Sequence, residues 1–417
     1  MTAATRPAGL PAYIAVTAAY WAFMLTDGAL RMLVLLHFHV LGFTPFQLAF
    51  LFLLYEFMGV VTNLSTGWIA ARFGLTSTLY AGLALQIGAL LLLAALDPEW
   101  ALLLSVVYVM VVQGLSGVAK DLSKMSAKSA VKLLAPEGEG ALFRWVAALT
   151  GSKNAVKGAG FLIGAASLGL FGFEASVMAM AGALAFVLAA VALFMPAGLP
   201  AGRKEAKFRE VWSKDRDVNR LSLARMFLFG ARDVWFVVGI PVYFYSVLSD
   251  GTAEGNREAF FLIGAFMACW IIGYGAVQGF TPAILKAKGK PLAEIVRLAR
   301  RWVFVLAFIP AGLAGLALVG GEWLPGAVVA GLLVFGAVFA LNSALHSYLI
   351  LALSPAGRVT MDVGFYYMAN AVGRLLGTLL SGLSYQAGGL PLCLGTAAAM
   401  AALSWLAARG IAGSERP

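Results

Sequence analysis

Stretch after stretch of this chain is apolar for about 20 residues or more, with Gly, Pro and charge clusters between. A hydrocarbon core about 30 Å thick contains no water to satisfy a peptide group, so a stretch of that length crosses it as a helix that closes its own backbone hydrogen bonds. Twelve such stretches are predicted, at 13–40, 46–71, 75–96, 100–120, 144–172, 175–196, 221–248, 259–285, 302–320, 325–351, 359–385 and 390–409. Only 12% of the 417 residues are charged and 61% are hydrophobic, against about 25% charged in soluble proteins. The expected class is an all-α polytopic membrane protein. The first stretch is too long for a signal-peptide core and follows a single basic residue, Arg6, so it is expected to stay in the mature protein.

Lys and Arg concentrate in alternate loops, the pattern that marks cytoplasmic loops. Arg72, the Lys124, Lys128 and Lys132 group, and the Lys286, Lys288 and Lys290 group fall on one side. Arg203, Lys204, Lys207, Arg209, Lys214, Arg216 and Arg220 lie on the same side, between the sixth and seventh stretches. The other loops hold Asp97, Glu99, Glu174, Asp250, Glu254, Glu258 and Glu322, with Arg257 as their one cation. Both termini are therefore expected in the cytoplasm, in an inner membrane. The net charge of +10 is mostly this topology signal, and no nucleic-acid partner is implied.

The polar segment 199–220 divides the stretches six and six. The expected organisation is an N-terminal six-helix bundle (1–198), a basic cytoplasmic linker (199–220) and a C-terminal six-helix bundle (221–417). A weak internal repeat supports two related halves. Asp27 in the first stretch has a counterpart in Asp233 in the seventh, and Asn154-Ala155-Val156 in the fifth has one in Asn370-Ala371-Val372 in the eleventh. Parallel repeats of six spans place a transport site between the halves.

Four cations, Arg31, Lys157, Arg232 and Arg374, sit inside apolar stretches. Each costs about 2.5–3.5 kcal/mol at the centre of a membrane helix even on the lenient insertion scale, so compensation is required. A wet cavity that receives an anion supplies it. Guanidinium forks suit bidentate contact with tetrahedral oxyanions, and a Lys acts as a compact point charge. Duller accounts stay open: Asp27 stands four residues before Arg31 and can pair with it privately, and Lys157 can snorkel. Arg232 and Asp233 are adjacent and expected to point apart, and Arg374 has no acidic neighbour within helical reach. Lys120, Lys124, Lys128 and Lys132 recur every four residues down one face, either as a funnel for anions or as an ordinary positive-inside extension.

The second loop, Gly67-Trp68-Ile69-Ala70-Ala71-Arg72-Phe73-Gly74, resembles the Gly-x-x-x-Asp-Arg-x-Gly signature of the major facilitator superfamily, with Ala71 where the Asp stands. Gln113 to Ala119 is similar to its second signature, with Met110 in place of the leading Arg, and Gly160 and Gly164 are followed by Ala165 where the antiporter signature has Pro. Rarer strings carry a closer resemblance: Tyr20–His39 (YWAFMLTDGALRMLVLLHFH), Gly117–Leu134 (GVAKDLSKMSAKSAVKLL), Thr150–Gly158 (TGSKNAVKG) and Leu228–Tyr243 (LFGARDVWFVVGIPVY). These look like the ArsJ-type organoarsenical efflux permeases. The resemblance implies the major facilitator fold and export of 1-arseno-3-phosphoglycerate. That compound forms when glyceraldehyde-3-phosphate dehydrogenase uses arsenate for phosphate, so a functional link to that enzyme and arsenate resistance follow.

The substrate that this resemblance implies would be anionic at both ends and would need two sets of cations. The substrate-binding candidates are Arg31, Lys157, Arg232, Arg374, Lys120, Lys124, Lys153, Asn154, Tyr243, Tyr366 and Asn370, the tyrosines having core packing as their commoner role. Tyr367 is a further hydroxyl of the same kind. Without a Gly-x-x-x-x-Gly-Lys-Ser/Thr phosphate loop the expected energy source is an ion gradient, most simply protons, and an antiporter is expected. Asp27, Glu56, Asp233 and Asp362 are the proton-coupling candidates. Glu56 shows no local partner, and hydrogen bonding between helices is its structural alternative. Cys269 and Cys393 lack metal or disulfide spacing, no cofactor is expected, and a monomer is expected. Exchange of other organophosphates or inorganic oxyanions is the alternative function. No nucleophile or metal motif points to an enzyme.

Overall fold

The computed structural model describes residues 10–97, 99–134, 141–195, 213, 215–286, 290–354 and 359–412. Side chains of 10, 13, 64, 66–73, 128–134, 141–151 and 359–361 lie outside that description. So do most of the linker 199–220, the side chains of the second-loop signature before Gly74, and those of Lys128 and Lys132.

Among the described residues, the regular elements are helices joined by short turns. The first half holds α1 (Leu10–Val40), α2 (Pro45–Phe73), α3 (Leu75–Ala94), α4 (Leu102–Leu134), α5 (Ala141–Phe171) and α6 (Phe173–Phe194). The second holds α7 (Arg216–Val234), a π-helical turn (Trp235–Gly239), α8 (Ile240–Leu248), α9 (Ala253–Ile284), α10 (Leu292–Val319), α11 (Leu324–Leu353) and α12 (Val359–Arg409). Eleven of these continuous helical segments are long and apolar enough to cross a membrane, counting α7 through α8 as one. Large apolar side chains such as Leu103, Phe186, Phe194 and Leu318 face outward, as lipid contact demands.

The last segment departs from the prediction of two separate helices only in continuity. Its backbone breaks at Gly388 (φ −156°) and Gly389 (φ +59°), between the predicted limits 385 and 390. Before the break the chain runs parallel to α7: Arg374 meets Asp233, and Ser381 meets Val238. Beyond it the direction reverses, with Cys393 bonded to Val234 and Ser404 to Ala224. Elsewhere helices exceed their predicted limits where polar residues continue the helical face. α4 runs to Leu134 rather than 120, carrying the lysine ladder, and α7 begins at Arg216, where Asp215 accepts the Asp217 and Val218 N–H groups as N-cap.

Glycines set how closely the helices approach. A Cβ at Gly160 or Gly28 would collide with the facing backbone of α1 or α5, and one at Gly373 with the Met226 carbonyl of α7. Small residues allow such crossings in a bilayer. Gly373→Ala is expected to cost roughly 1–3 kcal/mol by overpacking, more than the helix propensity of Ala returns, and a thermal melt of the purified variant checks it. The halves join along α5 with α9, where Gly158 lies against Ala268, and along α2 with α12, where Phe46 N–H donates to Gln386 and Gly382 packs on Pro45 and Ala49.

Candidate functional site

Where the halves meet, side chains from α1, α2, α4 and α5 face others from α7, the π turn, α9, α11 and α12 across a cavity of about 250 Å³. Eight cations line it: Arg31, Lys120, Lys124, Lys153, Lys157, Arg225, Arg232 and Arg374. Two carboxylates, Glu56 and Asp121, share the lining, and Asp27 and Asp233 stand directly behind it, bonded to Lys157 and to Arg232 and Arg374. Among the described residues, eight cations are thus set against four carboxylates.

Four of the ion pairs form one alternating chain through the interface. Glu56 of α2, 1% exposed, accepts from Arg31 at 2.6 Å and from Arg374 at 2.6 Å. Arg374 Nε continues to Asp233 at 3.1 Å, and Asp233 also takes Arg232 at 2.5 Å. The contact of Glu56 with Arg374 joins the two halves. In the first half Asp27 receives Lys157 Nζ at 2.5 Å and the Tyr55 hydroxyl at 2.5 Å. The repeat-related carboxylates thus do related work: Asp27 ties α1 to α5, and Asp233 ties α7 to α12.

These pairings correct one expectation, that Arg232 and Asp233 point apart, and close two alternatives drawn from local spacing. Asp27 does not pair with Arg31, because Arg31 reaches Glu56 instead. Lys157 does not snorkel; it ends on Asp27. Arg232 folds back onto its sequence neighbour Asp233, which its flexible stem permits. Glu56 and Arg374, each without a partner on its own helix, are partners of one another. Sequence spacing reports contacts within a helix, and most of this network runs between helices.

Lys120, Lys124, Lys153, Asn154 and Asn370 line the cavity with the four intramembrane cations. Lys120 places its ammonium 4.0 Å from the centroid of the Tyr55 ring. Lys124 bonds Asp121 at 2.5 Å and Asn63 at 3.1 Å, while Thr62 also donates to Asp121. Three candidates fall elsewhere. Tyr243 lies beyond the π turn, against Phe244, because the wide turn carries α8 past the cavity. Tyr366 is fully buried in the apolar cluster behind the wall, and its neighbour Tyr367 lines the cavity instead, one residue turning the side chain by about 100°. Asp362, 1% exposed, opens α12 away from the lining.

Arg225, Asn63, Asp121, Tyr274 and Gln278 also line the cavity without having been singled out from sequence. Arg225 carried a usable signal, since it stands seven residues before Arg232 on one helical face. Its closeness to the basic linker masked it. Among the described residues, no group of three or more His, Cys, Asp and Glu side chains is arranged to hold a metal ion.

No protein-family model matches the sequence, and no curated protein matches it. Solved structures do match. A POT family transporter in complex with 5-aminolevulinic acid superposes with a TM-score of 0.73 at 16% identity, covering 97% of this chain and 96% of its own. A POT family transporter in complex with a thioalcohol-conjugated peptide gives 0.72 at 16% identity, covering 94% of each chain. A structure from work on substrate recognition in proton-dependent oligopeptide transporters gives 0.71 at 13% identity, covering 97% and 98%. The chain has the major facilitator fold. With eleven apolar segments long enough to span a bilayer, it is an integral membrane protein. In this fold the cavity lies between the two halves, and the cations it gathers come from both.

Proposed function

We propose that this chain is a secondary active transporter of the major facilitator type that exports a doubly anionic organic substrate, 1-arseno-3-phosphoglycerate, by alternating access. The single observation that carries the substrate class is the gathering of eight cations against four carboxylates, among the described residues, around one cavity shared by the two halves. The reading includes twelve crossings, α12 supplying the last two on either side of Gly388 and Gly389, both termini in the cytoplasm of an inner-membrane protein, and a basic linker between two bundles. The structural neighbours named for peptide and 5-aminolevulinic acid complexes hold ligands that carry an amine as well as a carboxylate. Here Glu56, Asp27, Asp121 and Asp233 are each already engaged by a cation, so the cavity favours an anion over a zwitterion.

The chemistry follows from charge. Empty, the clustered cations repel one another and resist closure, and bound oxyanions neutralise them and let the halves approach, so movement depends on cargo. Glu56, Asp27 and Asp233 are the coupling candidates that touch the network, and Glu56, whose partner Arg374 comes from the other half, is positioned to exchange that cation for a proton as the halves part. The ArsJ-type resemblance selects the arsenylated substrate and the functional link to glyceraldehyde-3-phosphate dehydrogenase.

The test uses everted membrane vesicles supplied with glyceraldehyde 3-phosphate, NAD, arsenate and that dehydrogenase. Arsenic is expected to accumulate inside only when the enzyme is present. No accumulation above vesicles lacking the protein overturns the reading. Competition by 3-phosphoglycerate as strong as by the arsenylated compound moves the assignment to general organophosphate exchange.

A further inference from the structure

Arg225 differs from the ion-paired guanidiniums of the cavity. Only 5% exposed, it donates Nε to Asn370 Oδ1 at 3.0 Å and one terminal nitrogen to the carbonyl and hydroxyl oxygens of Ser343 at 3.1 and 3.2 Å. All three acceptors are neutral, and among the described residues Arg225 forms no ion pair. Its guanidinium lies 3.9 Å from the Phe229 ring centroid and 5.1 Å from that of Tyr366, so two aromatic faces and a few dipoles are what compensate a buried charge. Arg31, Arg232 and Arg374 by contrast each hold a carboxylate. A buried cation without a counter-charge is expensive, and its second terminal nitrogen, free of any hydrogen bond among the described residues, remains to be used.

What surrounds it is neutral and rich in donors. Tyr274, Gln278, Ser347, Tyr367 and Asn370 line the cavity beside Arg225. The Tyr274 hydroxyl and the Gln278 amide converge on Ser343 Oγ at 3.2 and 3.3 Å, directly under the guanidinium. One fixed positive fork, ringed by amide and hydroxyl groups and paired with no carboxylate among the described residues, is the donor set that a tetrahedral oxyanion takes. The first-half wall is built differently, with Lys120, Lys124, Lys153 and Lys157 as point charges set among Asp27, Glu56 and Asp121.

We propose that Arg225, with Asn370, Tyr274 and Gln278, is a second oxyanion subsite, in the second half of the chain, which takes one end of a two-headed anion, a phosphoryl or arsenyl group, while the first-half lysines take the other. The assignment rests on the transport reading above and adds to it the orientation of the cargo: one head on each half, so that the ligand itself spans the interface. An alternative role for Arg225, tying α7 to α11 and α12, uses the same hydrogen bonds, and the variants are chosen to separate the two.

Asn370→Asp places a carboxylate where an acceptor already lies 3.0 Å from Arg225 Nε, keeping the tie and cancelling the charge. Arg225→Lys keeps the charge and removes the fork. Binding is read as thermal stabilisation of the purified full-length protein by 3-phosphoglycerate and, separately, by inorganic phosphate. Wild-type protein is expected to bind 3-phosphoglycerate the more tightly. Asn370→Asp should melt no lower than wild type yet bind 3-phosphoglycerate at least about tenfold more weakly, close to inorganic phosphate, and Arg225→Lys should weaken it by about tenfold as well, both on the worth of a charge-assisted fork. Wild-type affinity in both variants overturns the subsite and leaves the transport reading standing. A wild-type protein that neither anion stabilises overturns the anion reading and the subsite with it.

Discussion

Glu56→Gln is expected to lower the unfolding free energy by about 3–5 kcal/mol, the usual cost of removing one partner from a buried ion pair. The carboxylate is 1% exposed and carries two guanidiniums, Arg31 and Arg374, each at 2.6 Å. Gln keeps the shape and one acceptor oxygen but takes from Arg31 its carboxylate and leaves Arg374 only Asp233, which it shares with Arg232. Because Glu56 with Arg374 is also the ion pair that joins the halves, export is expected to fall to background in the same variant. Tryptophan fluorescence melts in detergent measure the first effect and vesicle assays the second. Removing one cation as well, in Glu56→Gln with Arg374→Gln, should recover part of the lost stability through the non-additivity expected of contacting residues, without recovering transport. A single-variant melt within about 0.5 kcal/mol of wild type would show that solvent in the cavity already screens the pair.

Lys157→Met is expected to have an effect of the same order, by stranding charge of the opposite sign. Asp27, 3% exposed, would keep only the neutral Tyr55 hydroxyl as a hydrogen-bond partner among the described residues. The predicted loss is again about 3–5 kcal/mol. Met fills the space of the lysine stem, so packing changes little and the loss reports charge. The neutral double variant, Asp27→Asn with Lys157→Met, is therefore expected to melt close to wild type while exporting nothing, which separates the structural part of the pair from its part in handling the anion. Equal melting of the single and double variants would mean that Asp27 tolerates isolation, and that the tie between α1 and α5 rests on the close crossing at Gly28 and Gly160 instead.

The fold was legible because the bilayer imposes one rule on every span: length and apolarity suffice to place Leu75–Ala94 or Leu324–Leu353 within a few residues. Helix ends were less so. α4 continues through Lys120, Lys124 and beyond because a polar, cavity-facing stripe does not look like lipid-facing helix, though it propagates the same hydrogen bonds. The four cations Arg31, Lys157, Arg232 and Arg374 were legible by their cost alone, and the structure gathers them around one cavity. Their partners were not. Whether Arg31 reaches Asp27 four residues away or Glu56 twenty-five away depends on the register of α1 against α2, which no local spacing encodes. Tyr366 and Tyr367 show the same limit at finer grain: side by side in sequence, one is sealed behind the wall and the other faces the cavity. Arg225 was obscured because a cation near the end of a span resembles an interfacial anchor until α11 and α12 close over it.

The wide turn at Trp235–Gly239 inserts its extra residue immediately after Arg232 and Asp233, and the hydroxyl of Ser381 caps it by accepting the N–H groups of both Val238 and Gly239 at 3.1 Å. Were that hydroxyl withdrawn and the loop of backbone ironed out into ordinary α-helix, everything on one side of it would swivel by about 100° against the other. Arg232 would then be steered away from the cavity it now overlooks. The two hydrogen bonds of a single serine on a neighbouring rod thus hold the azimuth of the charge-bearing segment, and the polarity of the cavity becomes a matter of helical phase as much as of composition.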